Sequence, residues 1–139
     1  MAVDYRVFRD IGTVLVTYSG KATVPDTLEA FERYRADPDF EIGQKHLFDV
    51  RAVTRCDAGF EEYFGMQARL VEVYGLTEND QLIAFLIDSP AGRDMAVMSQ
   101  KSWDHLSSVV ITIHDSEPEA LAALGLRERS LEALRQHMM

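Results

Sequence analysis

Asp49 and Asp57 are the residues whose types and placing come nearest to a reactive pair. They lie in the stretch Lys45-His46-Leu47-Phe48-Asp49-Val50-Arg51-Ala52-Val53-Thr54, which leads through Cys56-Asp57-Ala58-Gly59-Phe60. A short apolar run ends in a carboxylate, crosses a loop and enters an amphipathic segment. A buried strand delivers a site to the end of an α/β sheet in this way. Two carboxylates near that end would suit general acid–base work. The plainer readings are local: Asp57 caps a helix by accepting one of its orphan amide hydrogens, and Asp49 bonds its own loop. Cys56 sits just ahead of the same helix, whose dipole would favour a thiolate. No histidine can be paired with it from sequence, and a buried, inert thiol is the simpler account.

A second candidate is Ser89-Pro90-Ala91-Gly92-Arg93, which opens another helix. Backbone amides with Arg93 would hold an anion there, and Ser89 would be its polar neighbour. The glycine pattern and lysine of a P-loop are missing, and no Gly-x-Ser-x-Gly elbow occurs. His46, His105, His114 and His137 are scattered with no i, i+4 pair, and Cys56 is the only cysteine. A locally built zinc site is therefore not expected, and neither is any other metal or cofactor. Phe64, Met66, Met95, Met98 and Trp103 recur at helical spacing. They form core, or else line an apolar groove in which adaptable methionines meet a ligand.

The elements that must position these residues alternate. Tyr5–Arg9 and Thr13–Tyr18 are rich in β-formers and flank Asp10-Ile11-Gly12, a hairpin with Gly12 at positive φ. Ser19-Gly20-Lys21 then breaks the strand. A helix follows from Pro25 to Arg35, then a strand from His46 to Val50. A second helix is expected from Ala58 to Tyr74, closed by Gly75. The run Gln81–Ile87 is apolar nearly throughout, hence a central strand. A helix from Ala91 to about Leu106, a strand over Val109–His114, and a helix capped at Ser116 and stopped at Gly125 come next. A last helix spans about Glu128 to His137, with Leu131, Leu134 and Met138 on one face. The order predicts an α/β fold, a single mixed sheet of about five strands with an N-terminal hairpin, then βαβ units with helices packed on it.

The 139 residues suit one domain, 1–139, with 127–139 as a C-terminal helical extension. The net charge of −9 repels phosphate backbones and acidic membranes, so nucleic-acid and membrane-surface roles are not expected. Asp26, Glu29, Glu32, Asp37, Asp39 and Glu41 stand against only Arg33 and Arg35, which reads as a solvated face. One cysteine precludes an internal disulfide, the N-terminus lacks a signal-peptide pattern, and the longest apolar run is Leu82–Ile87. A cytoplasmic protein without a membrane span is the expectation.

With the strand–Asp–loop–Asp–x–Gly–helix segment in hand, the chain resembles the STAS-like group. That group includes the SpoIIAA-like anti-sigma-factor antagonists and small bacterial STAS or Sec14-like proteins. The likeness runs from about Tyr5 to Leu126. It is carried by Leu47-Phe48-Asp49-Val50 through Asp57-Ala58-Gly59, and by Ile111-Thr112-Ile113-His114-Asp115 with Glu119 to Leu126. In the antagonists the helix opens with Asp-Ser-Ser-Gly, and the first serine is phosphorylated by a partner kinase. Here Asp57 and Gly59 match, Ala58 stands in the serine's place and one residue is missing. Alanine has no hydroxyl, so the resemblance implies the fold without that phospho-switch.

Three functions follow. The first is a non-enzymatic regulatory or binding domain that works through a protein partner or a small apolar ligand, the ligand lying against Phe64, Met95, Met98 and Trp103. The second is a homodimeric interaction module that uses the Leu131–Leu134–Met138 stripe. The third is a small enzyme using Asp49, Asp57 or Cys56, which requires those groups to converge.

Overall fold

The computed structural model of the chain describes residues 2–56, 59, 61–62, 65–66, 69–70, 81–103 and 108–136. Its strands are β1 (Val3–Phe8), β2 (Thr13–Ala22), β3 (Lys45–Cys56), β4 (Gln81–Leu86) and β5 (Val109–His114). Its α-helices are α1 (Val24–Arg35), α2 (Pro90–Trp103), α3 (Glu117–Ala123) and α4 (Leu131–Arg135). Glu61, Glu62, Gly65, Met66, Arg69 and Leu70 are also helical. Gly59, inside the helix expected over Ala58–Tyr74, is not helical; the remaining residues of that span, with Gly75, lie outside the described residues, as do Leu106, His137 and Met138.

The strands form one sheet in the order β1-β2-β3-β4-β5. β1 runs antiparallel to β2, and the remaining neighbours are parallel. This is the expected mixed sheet, and it begins with the expected hairpin. A 3-10 turn over Arg9–Ile11 ends at Gly12, whose φ of 57° lets its amide return to the Arg9 carbonyl.

Parallel strands added in one direction, joined by right-handed crossovers, put every connecting helix on one face. Ala30, Phe31 and Tyr34 of α1, Met66 and Leu70, and Met95, Ala96 and Trp103 of α2 accordingly share one core. They pack on Val14, Val16, Tyr18, Phe48, Val50, Ile83 and Phe85, the alternate residues of the strands. The opposite face carries Leu15, Leu47, Ala84 and Leu86, and chain beyond β5 covers it. Leu121 and Leu124 from α3 and its end, and Leu131 and Leu134 from α4, close that second core.

The expected strand ends at Tyr18 and Val50 need correction. β2 continues through Ser19-Gly20-Lys21 to Ala22, with register slips at Thr17/Ser19 and Gly20/Lys21 and a φ of 69° at Gly20. The glycine is absorbed as an irregularity within the strand. Because β2 continues, β3 has a partner beyond Val50, and Ser19↔Ala52 through Ala22↔Cys56 remain paired. The last helix starts at Leu131 instead of about Glu128, since the Ser130 hydroxyl accepts the Ala133 amide and fixes the cap. Gly125, with φ 73°, ends α3 as expected, its amide returning to the Ala122 carbonyl.

Candidate functional site

Asp49 is not at a loop end. It lies within β3 opposite Thr17 and Leu86, and its side chain is 9% exposed. Residues two apart on a strand share a face, so Arg51 turns back on it. Arg51 Nε is 3.0 Å from Asp49 Oδ1, and Nη2 is 3.1 Å from Oδ2. The third arm of the guanidinium, Nη1, donates to Glu117 Oε2 at 2.8 Å. Glu117 Oε1 accepts the Leu131 amide at 2.7 Å. The Leu131 amide, aided by Arg51, holds the Glu117 carboxyl below its usual range, and the Asp49 hydrogen bonds raise the Arg51 guanidinium. The pair Asp49–Arg51 is thus a clip that ties β3 to α3 and α4. Its carboxylate is occupied on both oxygens, which removes it as an acid or base at a strand end. Asp57 lies outside the described residues. Cys56 is the last residue of β3 and is half-buried. Among the described residues, no three of His, Cys, Asp and Glu gather to hold a metal ion.

Ser89 is engaged with main chain. Its hydroxyl donates to the Val53 carbonyl at 3.0 Å and accepts the Gly92 amide at 3.0 Å. It therefore caps α2 and fastens that helix to the extended half of β3. Gly92 makes the same contact closer: a Cβ there would stand 2.7 Å from the Val50 carbonyl oxygen. The first turn of α2 is seated on β3, and Ser89 and Arg93 do not form one anion pocket. Arg93 is exposed and borders a separate depression.

The apolar candidates divide along α2. Met95 and Trp103 are buried, 3% and 4% exposed, and share a space of about 20 Å³ with Tyr18, Phe48 and Phe85. Among the described residues, that is room for about one water molecule. Met98 is half-buried and lines the depression instead. Phe64 lies outside the described residues. The C-terminal stripe is not available to a second copy. Leu131 and Leu134 are 1% and 0% exposed within the chain's own second core, and Met138 is outside the described residues.

Among the described residues, the depression beside α2 brings apolar and charged side chains together. It measures about 590 Å³ and is lined by Cys56, Ala91, Arg93, Asp94, Val97, Met98 and Lys101. Val97 and Lys101 were not singled out by the sequence reading. The signal was present: Met95-Ser99-Trp103 repeats every four residues as the buried stripe, and Arg93-Val97-Lys101 repeats at the same spacing beside it. Further along the chain, the Gly59 amide donates to Glu62 Oε1 at 3.3 Å, a reach-back bond typical of a helix start.

No family model matches the sequence, and no curated protein does either. The fold, however, is a known one: it is the STAS-like, SpoIIAA-like α/β fold. The solved structure of an anti-sigma factor antagonist from Mycobacterium paratuberculosis superposes on 88% of this chain and 92% of its own, with a TM-score of 0.54 and 15% sequence identity. Among the described residues no helix is long and apolar enough to cross a membrane.

Proposed function

We propose that this chain is a non-enzymatic, cytoplasmic STAS-like regulatory domain that acts by docking a protein partner in the depression beside α2. The observation that carries the reading is the composition of that depression. An apolar floor of Ala91, Val97 and Met98 is bordered by exposed Arg93, Asp94 and Lys101, in a space of about 590 Å³ that opens to solvent. Apolar centres with charged rims are the ordinary anatomy of protein contacts. The enzyme reading has lost Asp49, whose carboxylate is held by Arg51. The solved neighbour is an anti-sigma factor antagonist, and a docking role on the same fold agrees with that. The depression adjoins the end of β3, where the antagonist pattern resembled by Asp57-Ala58-Gly59 begins. Docking here would proceed without a phosphoserine, because Ala58 has no hydroxyl to modify.

The test is affinity capture from a lysate of the source cell with the intact chain and with Val97→Asp/Met98→Asp. A protein retained by the first and lost by the second, with the circular dichroism of both unchanged, is the expected result. Equal retention, or retention of nothing, overturns the reading. Native mass spectrometry of the same preparation separates the small-ligand alternative. A reproducible added mass that is released on unfolding and absent from the double variant would place a small molecule, not a protein, in the depression.

A further inference from the structure

Resting on that docking reading, we infer that the depression takes an acidic amphipathic helix, one with carboxylates four residues to either side of an apolar anchor. Arg93, Val97 and Lys101 are four residues apart on α2, so they form one row along the helix. At 1.5 Å per residue the two cations stand ~12 Å apart along the axis, with the apolar residue midway. Met98 lies next to Val97 and is half-buried, a pliable surface for an apolar side chain of any shape.

The charges decide the sign of the partner. The whole chain is strongly acidic, at −9, and α1 with the turn after it carries Asp26, Glu29, Glu32, Asp37, Asp39 and Glu41. The outward row of α2 reverses that trend, with two cations against Asp94 alone. Two other cations are held, Arg51 by Asp49 and Glu117, and Arg9 by Glu41. Among the described residues, neither Arg93 nor Lys101 has an ion-pair partner. Two cations without an ion-pair partner among the described residues, flanking an apolar centre, favour an acid–apolar–acid row.

The backbone decides its conformation. The described lining is made of α2 side chains and the strand-end residue Cys56, not a row of free strand amides. That described lining of helix side chains suits an occupant that satisfies its own main-chain hydrogen bonds, as a helix does.

The test uses the full chain, isotopically labelled, titrated in an NMR experiment with two synthetic helical peptides. One carries Glu four residues before and after a leucine; the other carries Lys at both places. The glutamate peptide should move the Ala91, Val97 and Met98 resonances saturably, and the lysine peptide should not. Arg93→Glu/Lys101→Glu should weaken the first by about tenfold or more and admit the second. Absence of a saturable shift, or the same response to both peptides, overturns the inference. So does a mass that doubles with concentration and reverts in Val97→Asp, which would give the surface to a second copy. The captured partner keeps the two claims apart. If it is lost with Val97→Asp/Met98→Asp but indifferent to Arg93→Glu/Lys101→Glu, docking stands and the acidic helix falls. If it survives the first pair, both fall.

Discussion

The two faces of the sheet are covered by different means. On the α1–α2 face the cover comes from the crossover helices, and the contacts are aromatic. Phe48 stacks on Phe85 with centroids 4.9 Å apart, lies 5.9 Å from His46, and is tilted against Tyr18 and Phe31. On the other face the cover arrives after the last strand, as α3 of seven residues and α4 of five. The packing there is aliphatic, with Phe8 the one aromatic ring in that described core. Helices that short do not persist alone in water. They are stationed by the Asp49–Arg51–Glu117 clip and the Glu117–Leu131 bond. Where topology forces the cover, the Ser89 hydroxyl adds a tie to long packed helices; where it does not, a polar tie has to set the position of short ones.

Truncating each core tests that contrast most directly. Phe48→Ala removes a ring that contacts rings from both layers, and should cost about 3–5 kcal/mol. Leu134→Ala, fully buried on the other face, should cost about 2–5 kcal/mol and fall below it, because a five-residue helix can settle into the space more readily. Urea unfolding of the two variants reads the difference. A larger loss for Leu134→Ala would mean that the C-terminal cover is the stiffer of the two.

A difference in pH dependence comes next. His46 is buried between Phe31 and Phe48, and burial pushes its pKa down to about 4, against a weaker opposing bond to the Gln44 carbonyl. An unfolded histidine titrates near 6.5. Between these values the unfolded chain holds a proton that the native one refuses. Stability from His46 is therefore complete above pH 6.5 and is lost as the pH falls towards 4, about 3 kcal/mol in all. The Glu117 carboxyl, held below its usual range, adds its loss only at lower pH. Urea titrations at pH 7 and pH 4.5 should show the decline, and His46→Phe should flatten it. An unchanged slope in that variant would assign the decline to carboxylates on the other face.

Much of this was readable from residues in order. The apolar run Gln81–Ile87, the Ser116 and Pro90 signals and the hairpin at Gly12 are local patterns, and each element they imply is present. The length of β3 was not readable, because Ala52 to Cys56 are strand only by virtue of the β2 tail beside them, and Gly20 in that tail signals a break. The misplacing of Asp49 follows from this. A strand ended at Val50 leaves the carboxylate at an edge, whereas a strand extended to Cys56 puts Arg51 on the same face two residues away. The site on α2 was half readable. Met95, Met98, Arg93 and Trp103 drew notice by type, but which of them face inward depends on how the helix sits on β3.

Gly92 controls that seating, and its replacement sharpens the comparison by acting on one face alone. Alanine would favour the helix by up to about 1 kcal/mol. Its Cβ would meet the Val50 carbonyl oxygen at 2.7 Å, and that oxygen belongs to strand backbone that cannot swing aside. Gly92→Ala should therefore lower stability by about 1–3 kcal/mol net. It should also shift the amide resonances of Val50 to Val53 while leaving those of α3 and α4 in place. A neutral or stabilised variant would show that α2 can slide on the sheet.

The smallest effect belongs to the clip on the other face. Glu117→Gln retains an oxygen for the Leu131 amide but removes the charge facing Arg51. The two side chains are 28% and 34% exposed, so solvent weakens the ion pair, and about 0.5–1 kcal/mol should be lost. Glu117→Ala also strips the Leu131 amide of its acceptor and should cost about 1–3 kcal/mol. The two variants differ in the bond to the first residue of α4, so their difference reads the tie between α3 and α4, measured by hydrogen exchange at Leu131 to Leu134. If alanine and glutamine prove equal in both stability and exchange, Leu131 and Leu134 hold α4 by burial alone, and the second face needs the polar tie no more than the first.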